Sequence, residues 1–132
     1  MSFRLYKKEK LRGEITVARL FDRSVEGNCS ALVFPLRVAF SLNDRRAVKC
    51  PQFLVSIPKK RLHHAVDRVK MRRRVREAYR LNRHLLPPDL PVDIAFIYVA
   101  SELKDYAAVE RAVTRLLTKI SQTLAPDSND NQ

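Results

Sequence analysis

The segment from Lys59 to His84 constrains the folding of this chain more than any other stretch. It holds eleven of the chain's 26 Lys and Arg residues and all three His, opposed only by Asp67 and Glu77. A compact domain tolerates charge of this density only where the side chains face solvent or a polyanion. The segment therefore predicts a folded domain with one strongly cationic surface.

The apolar residues of the segment recur with the period of an α-helix. At about 100° per residue, one side of such a helix carries Met71, Val75, Ala78 and Leu85. The opposite side carries a set of arginines within an arc of roughly 100°: Arg72, Arg73, Arg76, Arg80 and Arg83. Arginine suits phosphate because its planar fork can donate two hydrogen bonds at once. A purely solvated basic face is the alternative, but such faces usually carry interspersed acids.

Composition favours one folded domain that binds nucleic acid. The chain has 132 residues, 45% of them hydrophobic, a net charge of +12 and a pI of about 10.3. We expect a single domain over residues 1–125, which binds nucleic acid, and a disordered polar tail over residues 126–132. A membrane surface is the rival partner, but no basic stretch is paired with a large exposed apolar and aromatic face. No apolar run reaches the roughly 18 residues needed to span a bilayer. Without a signal peptide, the chain is expected to be cytoplasmic.

The remaining sequence predicts alternating strands and helices. The expected elements are a helix over Lys10–Arg23, one long strand over Ser30–Leu42, a hairpin turn at Asn43–Arg46, a short extra strand near Ala47, a strand over Gln52–Ile57, the cationic helix, a strand over Val92–Val99, and a helix over Tyr106–Leu124. Pro35 suggests an edge or bulge within the long strand. Ser101 or Asp105 is expected to cap the last helix. The order predicts an α+β fold.

No residue set in the sequence predicts catalysis by the chain itself. Cys29 and Cys50 lack the spacing of a metal or redox motif and are expected to be reduced. His63, His64 and Asp67 lie close enough for a two-ligand metal site, but metal sites usually need three or four ligands. Polar residues in a turn beside phosphate are the favoured interpretation.

A family resemblance rests on the spacing around the cationic segment. A strand at Phe53–Ile57 is followed by Lys59-Lys60, by Ala65-Val66 and by the basic run Arg68–Tyr79. This order, without a gap, resembles the protein component of bacterial ribonuclease P, which carries a strand, a Lys pair, Ala-Val and an Arg-Asn-Arg-x-x-Lys-Arg-x-x-Arg-x-Ala-aromatic run. The order of the other elements agrees from about Lys10 onward.

The sequence also departs from the family pattern. Val69 and Lys70 replace the Asn and second Arg of Arg-Asn-Arg, and Pro58 replaces a common Ser. Leu62-His63-His64 replaces a turn with glycine, and Val17 replaces an aromatic residue. Because Val69 falls inside the cationic arc, we expect it to pack against its own fold rather than against RNA.

The resemblance implies both a fold and a function. The fold is an αβββαβα two-layer sandwich, similar to domain 2 of ribosomal protein S5, with a left-handed β-α-β crossover that contains the basic helix. Right-handed crossovers are otherwise the default, at about 98%. The function is that of the protein subunit of ribonuclease P, an endoribonuclease whose catalytic RNA, with Mg²⁺ held mainly by that RNA, removes the 5′ leader of precursor tRNA.

The resemblance also implies site residues. Those expected to bind phosphates of the catalytic RNA are Lys59, Lys60, Arg61, Arg68, Lys70, Arg72, Arg73, Arg76 and Arg80. Those expected to line a cleft for the single-stranded leader are Val17, Phe21 and Phe34. The implied partners are the catalytic RNA and precursor tRNA, with no membrane and no small-molecule substrate. A basic ribosomal protein or RNA chaperone without a catalytic partner remains the alternative, and a DNA-binding regulator is less favoured because the helix has few Asn or Gln to read bases.

Overall fold

A computed structural model describes Leu20 and residues 28–43 and 49–124 of the chain. Its elements, in chain order, are β1 (Cys29–Val33), β2 (Leu36–Leu42), β3 (Gln52–Ser56), α1 (Ala65–Asn82), a 3₁₀ turn (Arg83–Leu85), β4 (Val92–Tyr98) and α2 (Tyr106–Leu124). The rest of the predicted first helix, most of the Asn43–Arg46 turn, the extra strand near Ala47 and the predicted tail lie outside the described residues.

The four described strands form one mixed sheet in the order β1-β2-β4-β3. β1 and β2 are antiparallel, as are β2 and β4, whereas β3 and β4 are parallel. Helix α1 therefore crosses between two parallel neighbours, while α2 packs on α1, β1 and β2. This arrangement confirms the α+β class and agrees with the αβββαβα order. The left-handed course of the crossover stays a prediction.

The predicted single strand over Ser30–Leu42 is wrong, because the chain reverses in its middle. Phe34 and Pro35 form a two-residue turn, and the peptide bond between them is cis. The strands on either side pair from Val33 with Leu36 to Cys29 with Phe40. Pro35 has no N–H to give to a sheet ladder, and here it belongs to a turn rather than to a bulge.

The hairpin predicted at Asn43–Arg46 is also wrong, because β2 and β3 are not neighbours. β4 lies between them, so that Ile94 pairs with Phe40 on one side and with Phe53 on the other. Asn43 instead holds β2 to β4: its amide donates to the Pro91 carbonyl at 2.7 Å, and its side-chain Nδ2 donates to Asp93 Oδ2 at 3.0 Å. Strands consecutive in sequence are neighbours only about two-thirds of the time.

The main core lies between one face of the sheet and the two helices. Its centre is an aromatic cluster in which the rings of Phe53 and Tyr79 stack at 4.0 Å and Phe96 meets both edge-on. Helix α2 adds the apolar stripe expected from its sequence, of which Tyr106 and Leu124 at the two ends are half-buried against the core. The residues between them are buried: Val109, Val113, Leu116, Leu117 and Ile120. Of the two predicted caps of α2, Asp105 is confirmed, because the Ala108 amide donates to its Oδ1 at 3.0 Å.

The opposite face of the sheet carries a smaller apolar cluster. Leu20, which has helical backbone, is buried against Ala39 and Ala95 of the two central strands, with Leu54 of β3 packed beside them. Because side chains alternate between the faces of a strand, these residues point away from α1 and α2. Leu20, which belongs to the predicted first helix, therefore contacts the sheet on the face opposite the cationic helix.

Candidate nucleic-acid interface

Helix α1 is amphipathic as predicted, and its cationic side faces outward. Met71, Val75 and Ala78 are fully buried against the sheet and α2. The arginines of the predicted arc stay accessible to different degrees: Arg73 is exposed, and Arg72, Arg76, Arg80 and Arg83 are half-buried. Half-buried arginines keep their stems against the protein and present their guanidinium groups at the surface. The core thus fixes the direction in which these charges point.

The three basic residues before α1 occupy a compact turn. The amides of Arg61 and Leu62 donate to the Pro58 carbonyl at 3.0 and 3.3 Å, and the buried Leu62 side chain anchors the turn to the core. Lys59 and Lys60 are exposed at its tip. This turn places the predicted lysine pair at the N-terminal end of the cationic helix, where both ammonium groups are free to meet solvent or an anion.

Arg68 ties that turn to the helix. Its Nη1 donates to the carbonyls of Leu62 and His63, both at 2.9 Å. One guanidinium nitrogen is therefore already used within the fold, which leaves the other N–H groups for a ligand. Arg68 is thus a positioning residue for the turn as well as a predicted phosphate ligand.

The expected packing of Val69 is wrong. Val69 is 48% exposed and its neighbour Val66 is 71% exposed, while Lys70 beside them is also exposed. Both valines lie on the side of α1 away from Met71 and Val75, since the helical period places them there. The residue that replaces the family's asparagine therefore belongs to the outward surface, among the cationic side chains.

Arg74, which the sequence did not single out, has a structural role. Its Nη1 donates to the Lys104 carbonyl in the segment before α2. Tyr98 donates its hydroxyl to the Glu102 carbonyl in the same segment, and burial raises the pKa of this tyrosine. The helical angle of Arg74 lies outside the predicted arc, on the flank toward α2, and this is the signal that separates it from its neighbours.

Replacing Arg74 with alanine should destabilise the fold, whereas replacing its exposed neighbour Arg73 should not. The Arg74 change removes a hydrogen bond from a charged donor, worth about 1.5 kcal/mol at a half-buried site. The free energy of unfolding of both variants can be measured by urea denaturation, with circular dichroism as the signal. The two variants lose the same charge, so the comparison isolates the hydrogen bond. Equal stability of the two would contradict a structural role for Arg74.

A groove of about 460 Å³ runs between the two helices. Its lining combines arginines with one acid and one aromatic residue: Arg73, Arg74, Arg76, Glu77, Arg80 and Tyr106. Glu77 accepts hydrogen bonds from Arg80 Nε at 3.1 Å and from Nη2 at 2.6 Å. These bonds lower the pKa of Glu77 and raise that of Arg80. The groove was not predicted from sequence, because Tyr106 has the helical spacing of the apolar stripe of α2.

The ring of Tyr106 is held in place by a polar chain between the helices. Its hydroxyl donates to Glu110 Oε2 at 3.3 Å, and Asn82 Nδ2 donates to the same oxygen at 3.2 Å. Asn82 also donates to the Ala78 carbonyl at 2.8 Å. Burial, with the charge of Glu110 next, raises the pKa of Tyr106. The phenol is therefore neutral, and its ring forms a fixed wall of the groove.

Of the three residues predicted to line a leader cleft, only Phe34 is described. It lies in the β1–β2 turn and is 60% exposed, with Lys104 Nζ 5.4 Å from its ring centroid. Val17 and Phe21 lie outside the described residues. Their neighbour Leu20 packs on the second face of the sheet. Phe34 is thus an accessible aromatic residue at the end of the sheet, rather than a strand residue on its face.

The described part of the chain also bears on metal binding, disulfides and membrane spanning. Within it, no three His, Cys, Asp or Glu side chains are placed to hold a metal ion together, and His63 and His64 are exposed. Neither cysteine forms a disulfide. None of the described helices is long and apolar enough to cross a membrane.

The fold and its surface define a strongly basic α+β domain with an arginine-rich helix inside a parallel β-α-β crossover. A family model described as ribonuclease P matches residues 5–121 of the sequence. The chain therefore belongs to the ribonuclease P protein family. This result confirms the resemblance that the spacing around the cationic segment indicated.

Relatives and solved structures agree with this assignment. A protein named ribonuclease P protein component from Porphyromonas gingivalis strain W83 is 38% identical over 136 residues, covering 99% of this chain and 96% of its own. The counterpart from strain ATCC 33277 is 37% identical with the same coverage. The RNase P protein from Thermotoga maritima superposes with a TM-score of 0.67 at 23% identity, covering 84% of this chain and 96% of that one. The Staphylococcus aureus RNase P protein superposes with a TM-score of 0.68 at 17% identity, covering 86% of this chain and 95% of that one. The two structures confirm the fold.

Proposed function

We propose that this protein binds the catalytic RNA of ribonuclease P and the 5′ leader of precursor tRNA, and so assists the removal of that leader. The observation that carries the proposal is the outward face of α1, where the core holds a row of arginines at the surface beside the Lys59–Arg61 turn. Membership of the ribonuclease P protein family supports the same partner. Both features favour this function over that of a general RNA chaperone.

The contacts to the catalytic RNA are to its backbone. The predicted ligands are cations of α1 and of the turn before it: Lys59, Lys60, Arg61, Arg68, Lys70, Arg72, Arg73, Arg76 and Arg80. Side chains cannot read the deep and narrow major groove of A-form RNA, so recognition depends on shape and phosphates. A rigid row of guanidinium groups suits that kind of recognition because each can hold a phosphate with two hydrogen bonds.

The RNA, rather than this chain, carries out the chemistry in this proposal. Mg²⁺ bound mainly by the RNA subunit supplies the charge stabilisation for hydrolysis of one phosphodiester bond. The residues of the chain bind and orient the RNA and its substrate. We place the reaction in the cytoplasm, together with the precursor tRNA.

The direct test is cleavage of a precursor tRNA by the RNA subunit from the same genome, at low Mg²⁺, with and without this protein. We expect the protein to restore 5′ processing under conditions where the RNA alone is nearly silent. Binding of the RNA without any effect on processing would instead favour a ribosomal or chaperone role.

For the leader, Phe34 allows a test that is little affected by stability. The leader cleft is proposed to include Val17, Phe21 and Phe34, and stacking on an aromatic ring is worth about 1–3 kcal/mol per base. Because Phe34 is 60% exposed, its replacement by alanine should leave the fold intact. We expect Phe34→Ala to weaken binding of precursor tRNA to the holoenzyme by about fivefold or more, and to leave binding of mature tRNA unchanged.

The matched control is Leu42→Ala, because Leu42 is an exposed apolar residue at the opposite end of β2. It should bind both forms of tRNA as the unmodified protein does. An equal loss for precursor and mature tRNA in the Phe34 variant would exclude a leader contact at this position.

A further inference from the structure

We infer that the groove between α1 and α2 is a binding site for a single unstacked nucleotide of an RNA strand, with the base on Tyr106 and the adjoining phosphates on Arg73 and Arg76. This inference rests on the proposed function, since the strand belongs to the RNA partner. The surface is otherwise suited only to phosphates, and this groove would give it a site that recognises a base.

The size and lining of the groove fit a nucleotide. Its volume of about 460 Å³ lies within the 300–1,000 Å³ range of small-molecule sites. It combines the parts that recognise a splayed-out base: cations for the phosphates and an aromatic wall for stacking. Paired RNA would use only the cations, because its bases are already stacked on each other.

Tyr106 is preorganised for stacking. Its hydroxyl is fixed on Glu110, and Glu110 also accepts a hydrogen bond from Asn82 of the other helix. The ring therefore does not have to be ordered when a base arrives, which removes part of the entropic cost of binding. Tyr106 packs against the main core and also lines the arginine groove, so the core helps to hold the ring in place.

Glu77 is the second feature that a phosphate surface does not explain. A carboxylate among four arginines weakens the attraction for phosphate by repulsion. Arg80 occupies part of its hydrogen-bonding capacity, but a carboxylate offers about four acceptor sites. The remaining sites can accept hydrogen bonds from the exocyclic amine of a base. Glu77 therefore suits a base edge in the groove, and at the same time holds Arg80 against its wall.

The test uses the full chain and two RNA hairpins that differ in one unpaired nucleotide. One hairpin is fully paired, and the other carries a single bulged 2-aminopurine, whose fluorescence reports stacking. We expect the unmodified protein to prefer the bulged hairpin by at least about fivefold, the lower limit for stacking of one base. The 2-aminopurine signal should change on binding.

Two substitutions of Tyr106 separate stacking from structure. Tyr106→Leu removes the ring and should abolish both the preference and the fluorescence change, with thermal unfolding used to confirm that the variant is folded. Tyr106→Phe keeps the ring and should retain both. Arg111→Ala removes an exposed arginine of α2 that does not line the groove, and should behave as the unmodified protein.

The outcomes distinguish this inference from the proposed function. A folded Tyr106→Leu variant that keeps the preference and the signal overturns the groove as a nucleotide site, even if the protein supports processing of precursor tRNA. If the protein neither binds the catalytic RNA nor restores processing, the proposed function itself is contradicted. If ADP alone binds in the groove as tightly as the bulged hairpin does, the ligand is a free nucleotide and the inference is overturned.

Discussion

Replacing Arg72 and Arg76 together with alanine is expected to weaken binding to the catalytic RNA by about 10- to 100-fold. Each guanidinium lost removes charge-assisted hydrogen bonds to phosphate, worth about 1.5–3 kcal/mol in a good geometry and less at an accessible surface. The two residues are four apart on the outward face of α1, one turn above each other. A single RNA backbone can therefore meet both.

The salt dependence of binding gives the sharper measurement. Because each phosphate contact releases counterions, removing two should reduce the slope of log affinity against log salt by about 1.4–1.8. The matched control is the double variant Arg111→Ala, Arg115→Ala, in which two exposed arginines of α2 with the same spacing are lost. It has the same net charge, and its slope should stay close to that of the unmodified protein. An equal decrease in both variants would show that general charge, rather than this face, determines binding.

Replacing Tyr79 with alanine is expected to lower the free energy of unfolding by about 3–5 kcal/mol. Tyr79 is 1% exposed, its ring stacks on Phe53 of β3 at 4.0 Å, and it meets Phe96 of β4 edge-on. It is the contact through which α1 packs on both parallel strands. Since small domains are stable by only 5–15 kcal/mol, this loss is a large part of the total.

Val66→Ala is the comparison for this change, because Val66 belongs to the same helix but is 71% exposed. Its effect should stay within about 0.5 kcal/mol. Urea unfolding measures both variants, and RNA affinity at low temperature shows whether the arginine face survives. A loss below about 1 kcal/mol in the Tyr79 variant would mean that the aromatic cluster is not the centre of the core.

Elements with a strong helical period were predicted from sequence most completely. The buried row of Met71, Val75 and Ala78 and the apolar stripe of α2 both lie where the period places them. β4 was predicted within one residue because β-branched and aromatic residues fill it. The turn at Phe34–Pro35 was missed, since apolar residues continue on both sides of it and hide the chain reversal. Strand order was missed as well, because the pattern of one strand does not identify its neighbour.

The arginine face was predictable from sequence, but the use of each arginine was not. The helical arc separates outward arginines from Arg74, yet the bond from Arg74 to the Lys104 carbonyl depends on a segment thirty residues away. Arg68 likewise bonds to carbonyls of the preceding turn. Tyr106 has the spacing of a core residue, and only the packing of α2 against α1 brings it to the arginines.

The position of β4 has a consequence for how the protein forms during synthesis. β4 is the last of the described strands to be made, yet it lies between β2 and β3. Until β4 leaves the ribosome, β2 and β3 each lack the strand with which they pair, and their backbone groups on that side stay unsatisfied. Long-range pairings of this kind form slowly. The cationic helix also reaches this late strand, where Tyr79 meets Phe96 edge-on. An RNA that binds the completed arginine face would then act as a folding ligand, because it draws the population toward the state in which β4 is inserted.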